Sequence, residues 1–281
     1  MFKPNLSMKL SKLITSLIFS FLVASAFSQP LTRIVREAKK MYSNENYCEA
    51  VEKCEAAYKQ ISKRGRRAKK RKADMAFKAA ECYRNIEKCE EAQEWYDKCL
   101  LLDYQEIEPN VLYLNAQMLH QMGEYEKCLK NIEEYKKLVP KDKRSDLLAE
   151  SCKRAKDFKT NKSRHVVKNE NAINKPGIDM SGTFGDRRES TFYFSSGRPG
   201  STGTENDPRS CENYMDIWVS QQDKKGNWGQ PVPINGELIN TIDNEGAVSF
   251  DGRNKQMFFT RCSNEKQRNL GCDIWVSKKK G

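Results

Sequence analysis

The chain has 281 residues, enough for an export signal and two modest domains. Hydrophobic residues make up 38% of it and charged residues 31%, and aromatic residues still account for 10%, so the composition excludes a wholly disordered chain. The net charge of +12 favours anionic partners in general: nucleic acid, lipid headgroups or acidic proteins. Charge alone does not choose among them, whereas the cellular compartment does.

Residues 1–28 predict a secretory signal peptide. Three lysines precede a mostly apolar run over residues 13–27, and small residues stand at its end. The run is short for a membrane span, which needs about 20 apolar residues. We expect cleavage after Ser28 or Ala26 and a periplasmic or outer-membrane-associated protein. An uncleaved membrane anchor is the alternative.

Residues 30–158 predict helices in a pattern that repeats three times. Each copy combines a small residue in a first helix, a turn, and a small residue or cysteine in a second helix. Small residues that face each other let two antiparallel helices approach closely. The copies read Ala38-x3-Tyr42-x4-Tyr47-x2-Ala50, then Ala80-x8-Cys89-x2-Ala92, then Ala116-x6-Gly123-x-Tyr125-x2-Cys128.

These copies resemble tetratricopeptide (TPR) repeats. The resemblance implies a solenoid of antiparallel helix pairs, closed by a capping helix that we predict over residues 145–158. Glu45 and Glu87 stand where the third copy has Gly123, the residue that is usual in the turn of this family. A generic stack of helical hairpins is the alternative.

In TPR proteins the first helix of each unit lines the inner surface of the solenoid. Carried onto this chain by register, the resemblance implies a groove that binds an extended or helical segment of a partner protein through exposed aromatic side chains among polar ones. The residues expected to line this groove are Lys39, Tyr42, Phe77, Glu81, Arg84, Tyr113, Gln117 and His120.

A basic run, Lys63–Lys72, interrupts the spacing between the first two copies, and eight of its ten residues are cationic. Because like charges repel, the run predicts a solvated loop between repeats. Contact with anionic lipid or with an acidic protein is the alternative. Nucleic acid is not expected as a partner, because an exported chain does not meet it and no aromatic residues alternate with the basic ones.

Residues 181–281 predict short strands in two copies, after a linker over 159–180 that is rich in Asn, Lys, Gly and Pro. Each copy has an aromatic strand and then the sequence Asp-Ile-Trp-Val-Ser. The predicted strands fall at 191–196, 216–220, 257–261 and 273–277.

These copies resemble PD40 repeats, the WD40-like blades of TolB-type β-propellers. The expected fold class is therefore α+β with several domains: an N-terminal α-helical TPR-like solenoid followed by an incomplete all-β propeller of about two blades. Propellers close with 4 to 8 blades. We therefore expect the chain to be part of a longer protein, or to close its propeller through another chain.

Signal peptide, TPR repeats and PD40 blades in this order are similar to the OmpA-family periplasmic proteins of Bacteroidota, including PorE-like components of the type IX secretion system. The resemblance implies a non-enzymatic scaffold that binds other envelope proteins. It implies contact with peptidoglycan only through an OmpA-like domain beyond these residues. A glycan- or peptidoglycan-binding module is the alternative function.

The sequence contains no nucleotide-binding, hydrolase or zinc-protease motif, so no catalytic, cofactor or metal site is expected. The two histidines, His120 and His165, are 45 residues apart. A propeller glycoside hydrolase is the enzymatic rival, with carboxylates such as Asp179, Asp186 and Asp243 across a central channel.

Ten cysteines follow the signal peptide, and an exported protein can hold them as disulfides. Cys262 and Cys272 flank one predicted hairpin, so we predict a bond between them. A bond from Cys262 to Cys211, in the related loop of the preceding copy, is the alternative. Cys54 and Cys82 either form a bond or stay as buried thiols.

Overall fold

The structure is a computed structural model that describes residues 30–161, 163–203, 205–234, 238–265 and 268–279. The expected signal peptide at 1–28 lies outside the described residues. The described chain has a helical part followed by two antiparallel sheets, so it is α+β, as the sequence predicted. Within these residues, no helix combines the length and the apolar character that a membrane span needs.

The helical part consists of three antiparallel helix pairs and a final helix, and each helix packs against the next one along the chain. A short 3₁₀ helix, Tyr104–Glu106, precedes the third pair. The α-helices are α1 Leu31–Ser43, α2 Tyr47–Gln60, α3 Arg66–Asn85, α4 Cys89–Leu100, α5 Asn110–Gln121, α6 Tyr125–Leu138 and α7 Arg144–Thr160.

Small residues lie at the closest approaches of these helices, where the repeat pattern placed them. The repeat residues Ala38, Ala50, Ala80, Ala92 and Ala116 are all completely buried. A larger side chain at any of these positions would push two helices apart or be forced into a strained rotamer. The repeated alanines therefore set the spacing of the array.

The three pairs share one turn geometry. Glu45, Glu87 and Gly123 each have a left-handed backbone, with φ of 59°, 61° and 79°. Each stands just past a first helix, whose C-terminal carbonyls accept the next two N–H groups in a Schellman motif. The bonds that close it are Asn46 N to Met41 O (3.0 Å), Lys88 N to Tyr83 O (2.9 Å) and Glu124 N to Leu119 O (2.8 Å). The two glutamates thus adopt the conformation that glycine favours.

The interpretation of the basic run as a solvated loop is wrong from Arg66 onward, because α3 begins there. Lys72 is only 5% exposed, and its ammonium donates to the carbonyls of Tyr58 (2.6 Å) and Ile61 (2.7 Å) at the end of α2. It also lies 4.3 Å from the centre of the Tyr58 ring. A cation at a helix C-terminus satisfies orphan carbonyls and complements the helix dipole. These contacts hold the basic segment as helix.

The first sheet has the strand order β1-β2-β3-β4 and the second the order β5-β6-β7, all antiparallel. In corresponding positions, Phe194 pairs with Trp218 in the first sheet, and Phe259 pairs with Trp275 in the second. The strands are β1 Asp179–Phe184, β2 Thr191–Ser196, β3 Asp216–Gln221, β4 Val232–Pro233, β5 Asn244–Phe250, β6 Gln256–Glu265 and β7 Arg268–Lys278. Two sheets do not by themselves close a propeller.

The two sheets pack face to face through an apolar cluster. Ile217 of β3 is fully buried against Val248, Met257 and Phe259 of the second sheet. The approach is closest at Gly246, where an added Cβ would lie 2.6 Å from the Ser195 hydroxyl. The packing of the sheets therefore requires a glycine at position 246.

Two disulfides cross the described structure. Cys262 and Cys272 are bonded across the β6–β7 hairpin, which is the pairing expected from the sequence, with Cα atoms 4.0 Å apart. Cys211 is bonded to Cys48 at the start of α2, with a Cα separation of 5.6 Å. The alternative bond from Cys262 to Cys211 is therefore wrong, because each of these cysteines has another partner. The Cys48–Cys211 bond joins the helical part to the sheets.

Candidate protein-interaction site

The residues expected to line the helical groove fall on α1, α3 and α5. Lys39 of α1 forms an ion pair with Asp74 of α3 (2.9 Å). The ring of Tyr42 is half-buried, and the Lys78 ammonium lies 5.0 Å from its centre. Burial raises the pKa of Tyr42 to about 12, so this phenol stays neutral at physiological pH. The α1–α3 side of the groove is thus a mixed polar and aromatic surface.

Glu81 lies at the base of this surface and is nearly buried. It accepts two hydrogen bonds from Arg84, at 3.1 and 2.9 Å, and one from the hydroxyl of Tyr96. The hydrogen bonds to Glu81 raise the pKa of Arg84 above its already high value. Glu81 therefore acts as a support that orients the guanidinium, and it is not itself a contact surface.

Arg84 and Gln117 both line a cavity of about 500 Å³ at the turn end of α3 and α5. The thiol of Cys89 donates to the Gln121 side chain across this region (2.9 Å). Burial raises the pKa of Cys89, so the group is a thiol at neutral pH. The other residues of the cavity wall are Glu87, Cys89, Met118 and Gln121.

Most of this wall was missed by the sequence reasoning, which took groove residues only from first helices. Glu87 belongs to the left-handed turn, and Cys89 begins the second helix of the pair. Glu87 was the sequence signal for this part of the cavity wall. It occupies a turn position where glycine is usual, and it therefore places a charged side chain beside the cavity. The cavity offers a guanidinium and two amides, which can bind carbonyl or carboxylate oxygens of a peptide.

The expectation of exposed groove aromatics is wrong for Tyr113, which is only 8% exposed. Its ring packs 5.6 Å from that of Tyr135, and the Arg144 guanidinium lies 4.8 Å from its centre. Phe77 is half-buried against Tyr104 of the 3₁₀ helix (5.7 Å). The 3₁₀ helix and α7 supply partners that a repeat register does not reveal, so these rings stabilise the array.

His120 lies at the end of α5 and links it to the last helix. Its Nε2 is 2.9 Å from the Ser151 hydroxyl, and its ring meets that of Tyr125 edge-on at 5.5 Å. Gln117 donates to the hydroxyl of Tyr113 at 3.4 Å, one turn away. The structure thus places Arg84 and Gln117 on the wall of one cavity, while His120 packs against α7.

A second candidate surface is the outer face of sheet 2, which consists of Phe258, Ile274 and Val276 and lies on the side of β6 and β7 away from sheet 1. Ile274 is 78% exposed and Val276 52%. The corresponding residue of sheet 1, Ile217, is completely buried by sheet 2. Within the described residues, no element covers the outer face of sheet 2 as sheet 2 covers sheet 1.

The start of α3 carries a basic surface. A cavity of about 640 Å³ lies between it and the 3₁₀ region, and Lys69 forms an ion pair with Asp103 across it. Gly65 precedes the helix without a side-chain cap, and the first turn has no acidic residue. The remaining wall of the cavity consists of Arg66, Arg67, Lys70, Leu102, Glu106 and Ile107.

The carboxylates considered for glycoside hydrolysis have local structural contacts. Asp179 pairs with Arg198 at 2.7 Å. Asp186 accepts from the backbone N–H of Arg188 (2.7 Å) and from Ser190 in a turn. The described residues hold no group of three or more His, Cys, Asp or Glu side chains arranged for a metal ion.

No protein-family model matches the chain, and no curated protein matches it. The solved structures that resemble part of it include the myosin chaperone UNC-45 of C. elegans, in complex with an Hsp90 peptide. Its TM-score is 0.40 at 19% identity, over 47% of this chain and 14% of its own length. The C-terminal TPR-containing domain of a Plasmodium falciparum FK506-binding protein has a TM-score of 0.39 at 18% identity, over 47% of this chain and 91% of its own.

The chain spans about one seventh of the length of the first of these proteins. Both TM-scores are too low to assign a fold. The TPR-like character of the helical part therefore rests on its own helix pairs, buried alanines and shared turns. It is the class of helical array that protein-interaction scaffolds use.

Proposed function

We propose that the protein is a non-enzymatic interaction scaffold, with the outer face of sheet 2 and the Arg84–Gln117 cavity as its two contact surfaces. The observation that carries the proposal is the contrast between Ile274, which is exposed, and Ile217, which is completely buried in the same sequence context. An apolar sheet face in water is a binding surface or an aggregation hazard.

The occupant that fits the outer face of sheet 2 is another antiparallel sheet. Sheet 2 covers Ile217 with Val248, Met257 and Phe259, so the chain itself shows what such a covering face looks like. The repeated Asp-Ile-Trp-Val-Ser strand places Ile274 and Val276 as Ile217 and Val219 are placed in sheet 1. Further sheets stacked in this way would continue a PD40-type propeller, supplied by more of the same polypeptide or by another chain.

The helical groove is proposed to bind an extended or helical segment of a partner protein. The cavity at Arg84 and Gln117 offers fixed hydrogen-bond donors, and Glu81 already orients the guanidinium at 2.9 Å. Donors held in place lose little conformational freedom when they bind a peptide. The basic surface at the start of α3 adds a region that would attract anionic lipid or an acidic protein.

The proposed setting is the cell envelope, in a PorE-like component of a type IX secretion or peptidoglycan-associated assembly. The motif order and the predicted signal peptide at 1–28 support this setting. Peptidoglycan contact is proposed only through a domain outside these residues. A glycan-binding module is the second candidate, and a propeller glycosidase is the third. Co-sedimentation with purified sacculi and a panel of chromogenic glycosides test these two directly.

A photo-reactive amino acid in place of Val276 tests the sheet surface in living cells. We expect an efficient crosslink to a β-rich segment of the same polypeptide or of an envelope protein, identified by mass spectrometry. The control places the same amino acid at Leu101, which is 80% exposed on the helical part. Crosslinking at Val276 no stronger than at Leu101 would refute the proposed surface.

The groove has its own test, a pull-down with the double variant Arg84→Ala/Gln117→Ala. Loss of a partner that the wild-type chain retains is the expected result. The control variant is Lys130→Ala, an exposed residue on α6. Equal recovery by both variants, with unchanged circular dichroism, would remove the cavity from the proposal.

A further inference from the structure

Two buried cysteines lie side by side at the end of the helical array. The Sγ atoms of Cys128 in α6 and Cys152 in α7 are 2.7 Å apart, and both residues are completely buried. Two sulfur atoms that are not bonded to each other pack at about 3.5 Å or more, whereas the sulfurs of a disulfide lie about 2.05 Å apart. The two helices therefore hold these sulfurs at a separation that suits a covalent bond better than a contact between thiols.

We propose that Cys128 and Cys152 form a third disulfide, which ties α7 covalently to the last helix pair. The reaction is thiol–disulfide exchange with a small-molecule or protein disulfide as oxidant. One cysteine thiolate attacks the oxidant, forms a mixed disulfide and releases one thiolate. The second cysteine then attacks the mixed disulfide and releases the other. The two cysteines lose two electrons to the oxidant and two protons to solvent.

The order of events follows from the burial of the pair. Burial is the main cause that raises the pKa of Cys128 well above its usual value, so the folded protein holds an unreactive thiol. An oxidant also has no access to either sulfur while α7 is docked. The bond therefore forms while α7 is still open, during folding, and docking of the helix then shields it from reductants.

The position of this bond gives it a specific role. Helical arrays open first at their ends, where the last helix has a neighbour on one side only. The helix α7 ends the array and leads directly to the chain segment that enters the first sheet. A Cys128–Cys152 bond prevents α7 from separating from α6, while the Cys48–Cys211 bond holds the first pair to the sheets. Both ends of the helical part are then fastened.

The experiment is refolding of the full chain from denaturant in a buffer of reduced and oxidised glutathione, followed by alkylation of free thiols and non-reducing peptide mapping. We expect a linked pair of peptides that contain Cys128 and Cys152. Alkylation of both residues in molecules that contain the Cys48–Cys211 and Cys262–Cys272 bonds would overturn the proposal. The outcome is independent of where the protein resides and of its partners.

Hydrogen exchange provides the second readout. In Cys152→Ala, the backbone amides of α7 should exchange on the order of tenfold faster than in the oxidised wild type. Refolding of Cys152→Ala in the presence of reductant should not change these exchange rates further. The matched control is Cys99→Ala, a completely buried thiol whose Sγ is directed to the carbonyl of Trp95 (3.3 Å). It should leave α7 unchanged. Equal α7 exchange in the oxidised wild type and in Cys152→Ala would contradict a bond at this site.

Discussion

Cys48 and Cys211 are bonded to each other although 163 residues separate them in the chain. The bond lies beside a backbone hydrogen bond from the N–H of Cys48 to the carbonyl of Pro208 (3.1 Å). Cys48 lies in the first turn of α2, and Cys211 lies in the loop before β3. Their bond therefore fixes the helical part against the sheets.

Removal of this bond should lower the stability of the whole chain. Cys211→Ala opens a loop that spans 163 residues, for which the chain-entropy model gives about 5 kcal/mol. We expect a lower thermal unfolding midpoint for Cys211→Ala than for the wild type. The double variant Cys48→Ala/Cys211→Ala should have the same midpoint as Cys211→Ala. The control is Cys89→Ala, a partly exposed free thiol. A midpoint equal to that of Cys89→Ala would mean that the bond does not stabilise the joint.

A buried carboxylate at the same joint should make stability depend on pH. Burial alone would raise the pKa of Asp207, but hydrogen bonds from Arg209 (2.9 Å) and Asn244 (2.7 Å) outweigh it and hold this pKa below its usual value. Ionised Asp207 therefore stabilises the folded protein at pH values above the pKa of this group in the unfolded chain, about 3.9. This stabilisation is lost as the pH falls through the lower pKa that Asp207 has in the folded protein.

Asp207→Asn keeps the shape of the side chain and removes the charge. It should lower the free energy of unfolding by about 1.5–3 kcal/mol at pH 7, as expected for charge-assisted hydrogen bonds, and the difference should shrink below about pH 4. Urea unfolding at several pH values measures both effects. A constant difference between the two proteins across that range would show that Asp207 does not titrate as proposed.

The three equivalent turns allow a matched pair of substitutions. Glu87 has a left-handed backbone that costs a residue with a Cβ roughly 1–2 kcal/mol, so Glu87→Gly should stabilise the chain by up to about 1 kcal/mol. Gly123 has the same geometry, and an added Cβ there would meet no atom within 4 Å, so Gly123→Ala should destabilise by a similar amount through the backbone alone. Opposite shifts of the urea midpoint are expected, and shifts of the same sign would contradict the shared turn.

Lys72 should be more important for stability than any neighbour in the basic run. Lys72→Met keeps the aliphatic stem but leaves the carbonyls of Tyr58 and Ile61 without their donor, at a cost of about 1–3 kcal/mol. Lys70→Met, at an exposed position of the same helix, is the control and should change stability by less than about 0.5 kcal/mol. Equal unfolding midpoints for the two variants would show that the buried ammonium does not stabilise the end of α2.

Local pattern was enough to predict most of the elements from the sequence. The strands at 191–196 and 216–220 were predicted within one residue, because aromatic and β-branched residues follow each other between turn signals. The helix pairs were predicted because Ala38 and Ala50 recur with their equivalents at repeat spacing. The bond between Cys262 and Cys272 also followed from local order, since the two residues flank one hairpin.

The tertiary structure decided the features that depend on distant residues. Charge repulsion in the basic run suggested a loop, but the buried contacts of Lys72 with α2 outweigh it and make the segment helical. The repeat register placed Tyr113 on an open groove, but Tyr135 and Arg144 cover it from later helices. Neither contact leaves a periodic trace in the sequence near the residue it affects.

The partner of Cys211 is the clearest case of a feature that only the tertiary structure decided. From the sequence, its nearest structural equivalent was Cys262, and nothing in the spacing of the cysteines pointed to Cys48 instead. The pairing depends on how the first turn of α2, which contains Cys48, meets the loop of the first sheet that contains Cys211. These two segments come from distant stretches of the chain. Sequence periodicity reports which face of an element is buried, and only the packed structure determines what that face is buried against.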